Sequence, residues 1–197
     1  MEYSEKALAQ LINELSLTED IKLSEIPDIE LYMEQLTTFI GSRLEGHKEH
    51  TEDKVLTKTM INNYTKAGIV MPPVNKKYNK RHVIMLILVY YLKNILSIKE
   101  IKSLFSPVLN NIATPEDDMI PLEDIYETFL EVKNIELASF SDELIDKLGT
   151  IKAKTGALGK EGKEKAELFL IVIMLAAQAD AHKKLAEKII EKYFQET

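Results

Sequence analysis

Between residues 57 and 83, TKTMINNYTKAGIVMPPVNKKYNKRHV, the chain carries six Lys or Arg and no Asp or Glu. Side chains of these types do recognition chemistry. Lys and Arg neutralise phosphates and release their counterions. An Asn amide pairs bidentately with the edge of adenine, and Lys or Thr bonds guanine or a phosphate oxygen. Lys58, Thr59, Asn62, Asn63 and Lys66 fall on one side of a helical wheel, while Met60, Ile61 and Tyr64 fall on the other. Lys76, Lys77 and Tyr78 follow in a stretch that a Pro pair keeps out of helix, and Lys80 and Arg81 open the next helix. Cations at a helix start oppose its macrodipole, a small local penalty that points to a role outside the protein. His82 would add charge to this run as pH falls, or serve only as a helix-start residue.

The elements that must hold these side chains are legible around them. Thr57 is an N-cap candidate for the short helix, and Gly68 sits where a helix end needs a left-handed residue. IVMPPVNKKY suits a strand–turn–strand or a simple loop. Asn79 can cap a helix whose buried face is Val83, Ile84, Ile87, Leu88, Tyr91, Leu92 and Ile95. Ser97 and Glu100 have capping-box spacing and start a further helix with Ile98, Ile101, Leu104, Phe105 and Leu109 inward. Upstream, residues 28–44 read as an amphipathic helix with Tyr32, Leu36, Phe39, Ile40 and Leu44 inward, and 44–54 as a polar loop. Short helix, basic Pro-containing loop, longer helix, capped helix is the order of a winged helix-turn-helix. There the short helix enters the major groove, about 12 Å wide, and the wing lies on the phosphate backbone.

Composition bounds the remainder. Residues 54–102 hold ten Lys or Arg against Glu100 alone, a local +9, which leaves −16 for the rest of a chain whose total is −7. A split this large predicts a polyanion-seeking patch on an otherwise acidic, soluble molecule; the alternative is that the two parts neutralise each other. With 197 residues, 45% of them hydrophobic, only seven Gly and six Pro, the chain is expected to be mainly helical, an all-α fold with a small wing. No Cys is present, which excludes disulfides, thiolate metal sites and Cys nucleophiles. The N-terminus lacks an apolar signal core, and the longest apolar run, residues 168–177, is half the length a bilayer needs. A cytoplasmic protein without membrane contact is expected.

Further elements are predicted at 5–15, 121–137, 141–152 and 163–194, the last with an apolar stripe from Leu168 through Ile171, Val172, Leu175, Leu185 and Ile189 to Tyr193. Three segments result: an N-terminal arm (1–27), a winged helix-turn-helix-like domain (28–112) and a helical C-terminal domain for dimerisation or effector sensing (113–197). TGALGKEG at 155–162 lacks the spacing and the Ser or Thr of a phosphate-binding loop. His47 and His50, among Glu45, Glu49, Glu52 and Asp53, read as a solvated loop rather than a metal site, and His182 and Asp180 as surface. No nucleophile, base and oxyanion donor come together in any motif, so an enzyme is not expected, nor a cofactor.

The stretch MINNYTKAGIVMPPVNKKYNKRHVIMLILVYYLKNILSIKEIKSLF resembles the MerR-type winged helix-turn-helix of bacterial transcription regulators. Ile61, Tyr64, Gly68, Ile69 and Val70 fit its recognition helix, Lys76-Lys77-Tyr78 its wing, and Ser97-Ile98 with Ile101 its last helix. Asn62 and Asn63 stand where that family puts Arg and Tyr, and Lys76 replaces the wing Arg. A closer resemblance, over roughly residues 25–175, is to uncharacterised bacterial proteins grouped as a domain of unknown function. Together these imply a transcription regulator that binds double-stranded DNA as a homodimer, through Lys58, Thr59, Asn62, Asn63, Lys66, Lys76, Lys77, Tyr78, Lys80 and Arg81. The competing expectation is a helical adaptor whose basic patch binds an acidic protein.

Overall fold

Residues 83–92 read VIMLILVYYL, and a helix without a polar face must be covered on every side. In the computed structural model, which describes residues 4–47, 54–109, 121–156 and 160–194, this segment forms helix α4 (Lys80–Leu92). His82, Val83, Ile84, Met85, Leu86, Ile87 and Val89 of α4 are all buried. The other described helices are α1 (Glu5–Glu14), α2 (Met33–Arg43), α3 (Lys58–Lys66), α5 (Ile98–Leu109), α6 (Leu122–Thr155) and α7 (Lys160–Tyr193). Strands β1 (Leu31–Tyr32) and β2 (Lys77–Tyr78) pair antiparallel, Leu31 opposite Tyr78 and Tyr32 opposite Lys77. The fold is mainly helical, as the composition predicts.

The chain divides into two units. The larger comprises Glu19–Glu131 and Ala186–Thr197. Its core gathers Ile21 and Ile26, Leu36 and Ile40 of α2, Ile61 and Tyr64 of α3, the whole of α4, Ile101 and Phe105 of α5, Leu122 and Tyr126 of α6, and Ile190 of α7. Two buried phenols tie the entering segment to this core: the Tyr91 hydroxyl donates to Asp20, and the Tyr126 hydroxyl to the Ile21 carbonyl. Burial pushes both phenol pKa values above their ordinary range, so both stay protonated donors.

These contacts move the boundaries expected at 28 and 113. Ile21 and Ile26 lie upstream of the first, and Leu122, Tyr126 and Leu130 downstream of the second, yet all belong to the core around α4. The units part inside α6, after Glu131, and inside α7, after Leu185. Residue 113 itself lies outside the described residues.

The smaller unit comprises Met1–Thr18 and Val132–Leu185. Leu144, Leu148 and Ile171 are its buried core, with Leu8, Ile12, Ile151, Met174 and Leu175 packed against them. The Thr155 hydroxyl donates to the buried Glu167 carboxylate at 2.9 Å, fixing the end of α6 to the start of α7. The helix break expected between 137 and 141 does not occur. Ser139 instead bonds within its own helix, its hydroxyl donating to the Glu136 carbonyl, and α6 runs through. On α7, Ile171 is inward but Val172, Leu185, Ile189 and Tyr193 are exposed, so the protein's own core covers only part of the long stripe. Tyr32, expected inward, faces solvent, as do Leu11 of α1 and Leu15 just after it.

The burial pattern sets a test. Leu86→Ala should destabilise the protein by about 2–5 kcal/mol in urea unfolding, the usual range for a fully buried Leu. Val132→Ala, at a half-exposed position, should change it by less than about 0.5 kcal/mol.

Candidate functional site

The site is built on the larger unit by α3 and the segment that follows it. Thr57 caps α3 as predicted, its hydroxyl accepting from the Met60 amide at 3.1 Å. At the other end the Gly68 amide donates to the Thr65 carbonyl and the Ile69 amide to the Tyr64 carbonyl, at 3.0 and 2.9 Å. With Gly68 at φ +73° this is a Schellman stop, which needs a residue tolerant of the left-handed region. Buried Ile61 and Tyr64 fix the rotation of α3 about its axis. Lys58, Thr59, Asn62, Asn63 and Lys66 are consequently all exposed.

The chain then makes a tight hairpin. Val74 and Lys77 exchange two backbone hydrogen bonds, at 3.1 and 2.9 Å, around Asn75 and Lys76. Both central residues are left-handed, with φ of +51° and +63°, which makes this a two-residue type I′ turn. Asn tolerates that region; Lys does not, and pays for it with backbone strain of about 1–2 kcal/mol. Lys76 is thus held exposed at the tip of a hairpin whose turn would favour Gly.

The remaining predicted residues behave differently. Lys77 lies 3.5 Å from Glu30 and over the Tyr32 ring. Lys80 pairs with Asp28 at 2.9 Å. Tyr78 is 3% exposed and belongs to the core, so its ring is not offered to a partner. Arg81 is half-buried. The ten predicted residues therefore do not form one cationic ridge. Six of them, Lys58, Thr59, Asn62, Asn63, Lys66 and Lys76, present free faces, while Lys77, Tyr78 and Lys80 are engaged by β1–β2 pairing or by carboxylates that precede β1. The alternative of mutual neutralisation between acidic and basic segments is realised at these two pairs.

Comparison with known families matches residues 21–129 to the family described as "Domain of unknown function (DUF1836)". The chain belongs to this family. The DUF1836 match ends at 129, short of the 175 expected from the resemblance, and covers all of α2 to α5 with the sheet. No curated protein and no solved structure matches the chain.

Two further cations of the DUF1836 domain escaped the sequence reading. Lys102 of α5 lies over Gly68, its ammonium 3.9 Å from where a Cβ there would stand. This sets a positive charge beside the C-terminus of α3, where the helix dipole favours it. Lys54 borders an open groove of about 580 Å³ between α2 and the start of α3, shared by Thr37, Ser42, Glu45, Thr57 and Lys58. Lys54 and Lys102 both counted toward the local charge; what the sequence lacked was the long-range packing that sets them next to α3. Among the described residues, no carboxylate pairs with Lys58, Lys66, Lys76 or Lys102, and no cluster of metal-ligating side chains forms. Residues 48–53 and 157–159, where the His-rich loop and part of the Gly-bearing loop fall, lie outside the described residues.

His82 is a structural residue. It is 3% exposed. Its Nδ1 accepts from the Asn79 amide and the Asn79 side chain accepts from the His82 amide, both at 3.2 Å, a reciprocal cap for α4. Nε2 lies 3.4 Å from the Pro72 carbonyl. One ring thus joins the start of α4 to the loop before the hairpin. Burial lowers its pKa from the ordinary 6.5, outweighing the carbonyls of Pro72 and Met71, which act in the opposite sense. The expected surface charge at His82 is therefore not supplied.

Two measurements follow. Lys76→Gly should raise the unfolding free energy by about 1 kcal/mol by relieving the left-handed turn. For His82 the unfolded chain takes up the proton first, so its stability contribution is full above about pH 6.5 and declines as pH falls below it. Urea unfolding at pH 7.5 and 5.5 should show a smaller acid loss in His82→Gln than in the parent.

Proposed function

We propose that this DUF1836 protein is a DNA-binding regulator that reads duplex DNA with α3 and grips its backbone with the hairpin, as a homodimer in the cytoplasm. The observation that carries this reading is the outward face of α3. Two lysines, two asparagines and a threonine stand exposed on a helix whose rotation is fixed by a buried Ile and Tyr. With its side chains an α-helix is about 10–12 Å across, which suits a groove about 12 Å wide.

Several features support it. The order strand, helix, helix, hairpin strand, helix, helix across β1, α2, α3, β2, α4 and α5 accords with a MerR-type winged helix-turn-helix. In such a motif the second helix supplies base contacts and the first crosses the backbone. The loop between α2 and α3 is longer than the three or four residues of a simple helix-turn-helix. Lys76 has the placement of a phosphate contact, and its strained turn is the sort of local penalty that persists where a side chain is needed. In this reading Asn62 and Asn63 supply base contacts, while Lys58, Lys66, Lys76 and Lys102 supply charge. Lys77 and Lys80, already ion-paired, contribute less than their number suggests.

Homodimerisation rests on the smaller unit. Phe169, Val172 and Ile173 of α7 are 65%, 63% and 50% exposed. With Ala176 they recur at i, i+3, i+4 and i+7, on the side of α7 away from Ile171 and Leu175. Residues 168–179 contain no charge at all. A helix apolar on both sides fits one placed between its own core and a second copy.

Four unpaired lysines predict a slope of log affinity against log salt of about −3 to −4 per protomer. Lys76→Glu should make that slope shallower by about 1 and weaken all sequences alike, whereas Asn62→Ala should relax preference at one base position by about 1–3 kcal/mol. Lys76→Gly gives the sharpest reading, since it should stabilise the fold while weakening binding. Affinity that ignores salt, or an unchanged affinity in Lys76→Gly, would remove the DNA assignment. Separately, Ile173→Glu should convert a dimer to a monomer in sedimentation without loss of helicity.

A further inference from the structure

The larger unit carries an apolar pocket of about 280 Å³, none of whose lining residues is assigned to DNA contact. Leu88 and Leu92 of α4, Leu104 and Phe105 of α5, and Phe129 of α6 form its walls, and Phe194 closes one side. Among the described residues the one polar side chain on the lining is Tyr91, and its hydroxyl is already committed to Asp20. A water molecule needs two to four polar partners to be held inside a protein; this lining supplies almost none. An apolar void of about 150 Å³ is enough to take up benzene, and this one is nearly twice that size.

The walls are held apart by contacts that do not involve the cavity. The opposite side of α4, including Val83 and Leu86, is buried in the main core. Tyr126, one turn from Phe129 on α6, is anchored to the Ile21 carbonyl. The Tyr91 and Phe129 rings meet edge to face, with centroids 5.3 Å apart. Collapse of the space would require these to give way. Leu88, Leu104, Phe129 and Phe194 are each only partly buried, which leaves a route in from solvent.

We infer that this cavity is a binding site for a small uncharged molecule of aromatic or branched aliphatic character. A charged or strongly hydrogen-bonding ligand is disfavoured because it would leave water and find no partner on these walls. Tyr91, Phe105, Phe129 and Phe194 on the lining suit a flat ring, which gains edge-to-face contacts beyond its buried area. The site stands independently of the DNA reading, because nothing in its lining depends on what α3 touches.

The test uses the full chain and N-phenyl-1-naphthylamine, an uncharged naphthalene whose fluorescence rises in apolar surroundings. Saturable binding near one molecule per chain is expected. Leu104→Trp and Leu88→Phe, each checked for folding by circular dichroism, should weaken it at least tenfold by filling the space. Ile173→Glu should leave it unchanged. In the unmodified protein, methyl resonances of Leu88, Leu92 and Leu104 should shift on titration, whichever variants fold. The inference is overturned by absence of saturable binding, by undiminished affinity in a folded filled variant, by loss in Ile173→Glu, or by methyl shifts confined to other residues.

Discussion

The covering of α4 is the constraint from which the larger unit follows. Ten consecutive residues without a charge cannot be left facing water on any side. The chain meets this by packing α2, α3, α5 and the first turns of α6 around that helix, and by bringing in Ile21 and Ile26 from before the sheet and Ile190 from the far end. Once α4 is fixed, the reciprocal Asn79–His82 cap fixes its first turn, and through Pro72 the loop that leads into the hairpin. The exposed face of α3 is therefore positioned by two buried devices, its own Ile61 and Tyr64 beneath and a capped, enclosed helix behind.

Charge is organised around that frame in two ways. Glu25, Asp28 and Glu30, in the short approach to α2, take up Arg43, Lys80 and Lys77 respectively. These are exposed or half-exposed pairs, worth little individually to stability, but they remove cations from one side of the basic segment. Lys58, Lys66, Lys76 and Lys102 are left on the other. The result is a smaller and more directional positive surface than the sum of charges over residues 54–102 suggests.

How much of this could be read from the sequence depends on the range of the interaction. Devices closed within four or five residues were legible: the Thr57 cap, the Gly68 stop, the Asn79 cap and the Ser97–Glu100 box all stand where the spacing predicts. Periodicity placed Ile61, Tyr64, Leu36 and Ile40 inside correctly. What failed was long-range. A two-residue strand has no periodic signature, so β1 was hidden in an expected helix, and with it the burial of Tyr78. Lys77 and Lys80 looked free because their carboxylates lie some fifty residues upstream. Ser139 looked like a break because its local bonding can either end a helix or sit within one. The apolar run at residues 168–177 carries no period from which to choose a face, so which side of α7 is covered was not legible.

The nesting of the two units bears on how the protein is made. The DUF1836 match ends at 129, yet Ile190 and Phe194 pack against the core that this domain builds. Residues 132–185, which belong to the other unit, lie between them in the chain. During synthesis the nascent domain must wait, with part of its apolar core uncovered, until the ribosome has supplied the final turn of the last helix. Its folding closes once residues 190–194 have been made rather than progressively, and over that interval apolar surface stays uncovered.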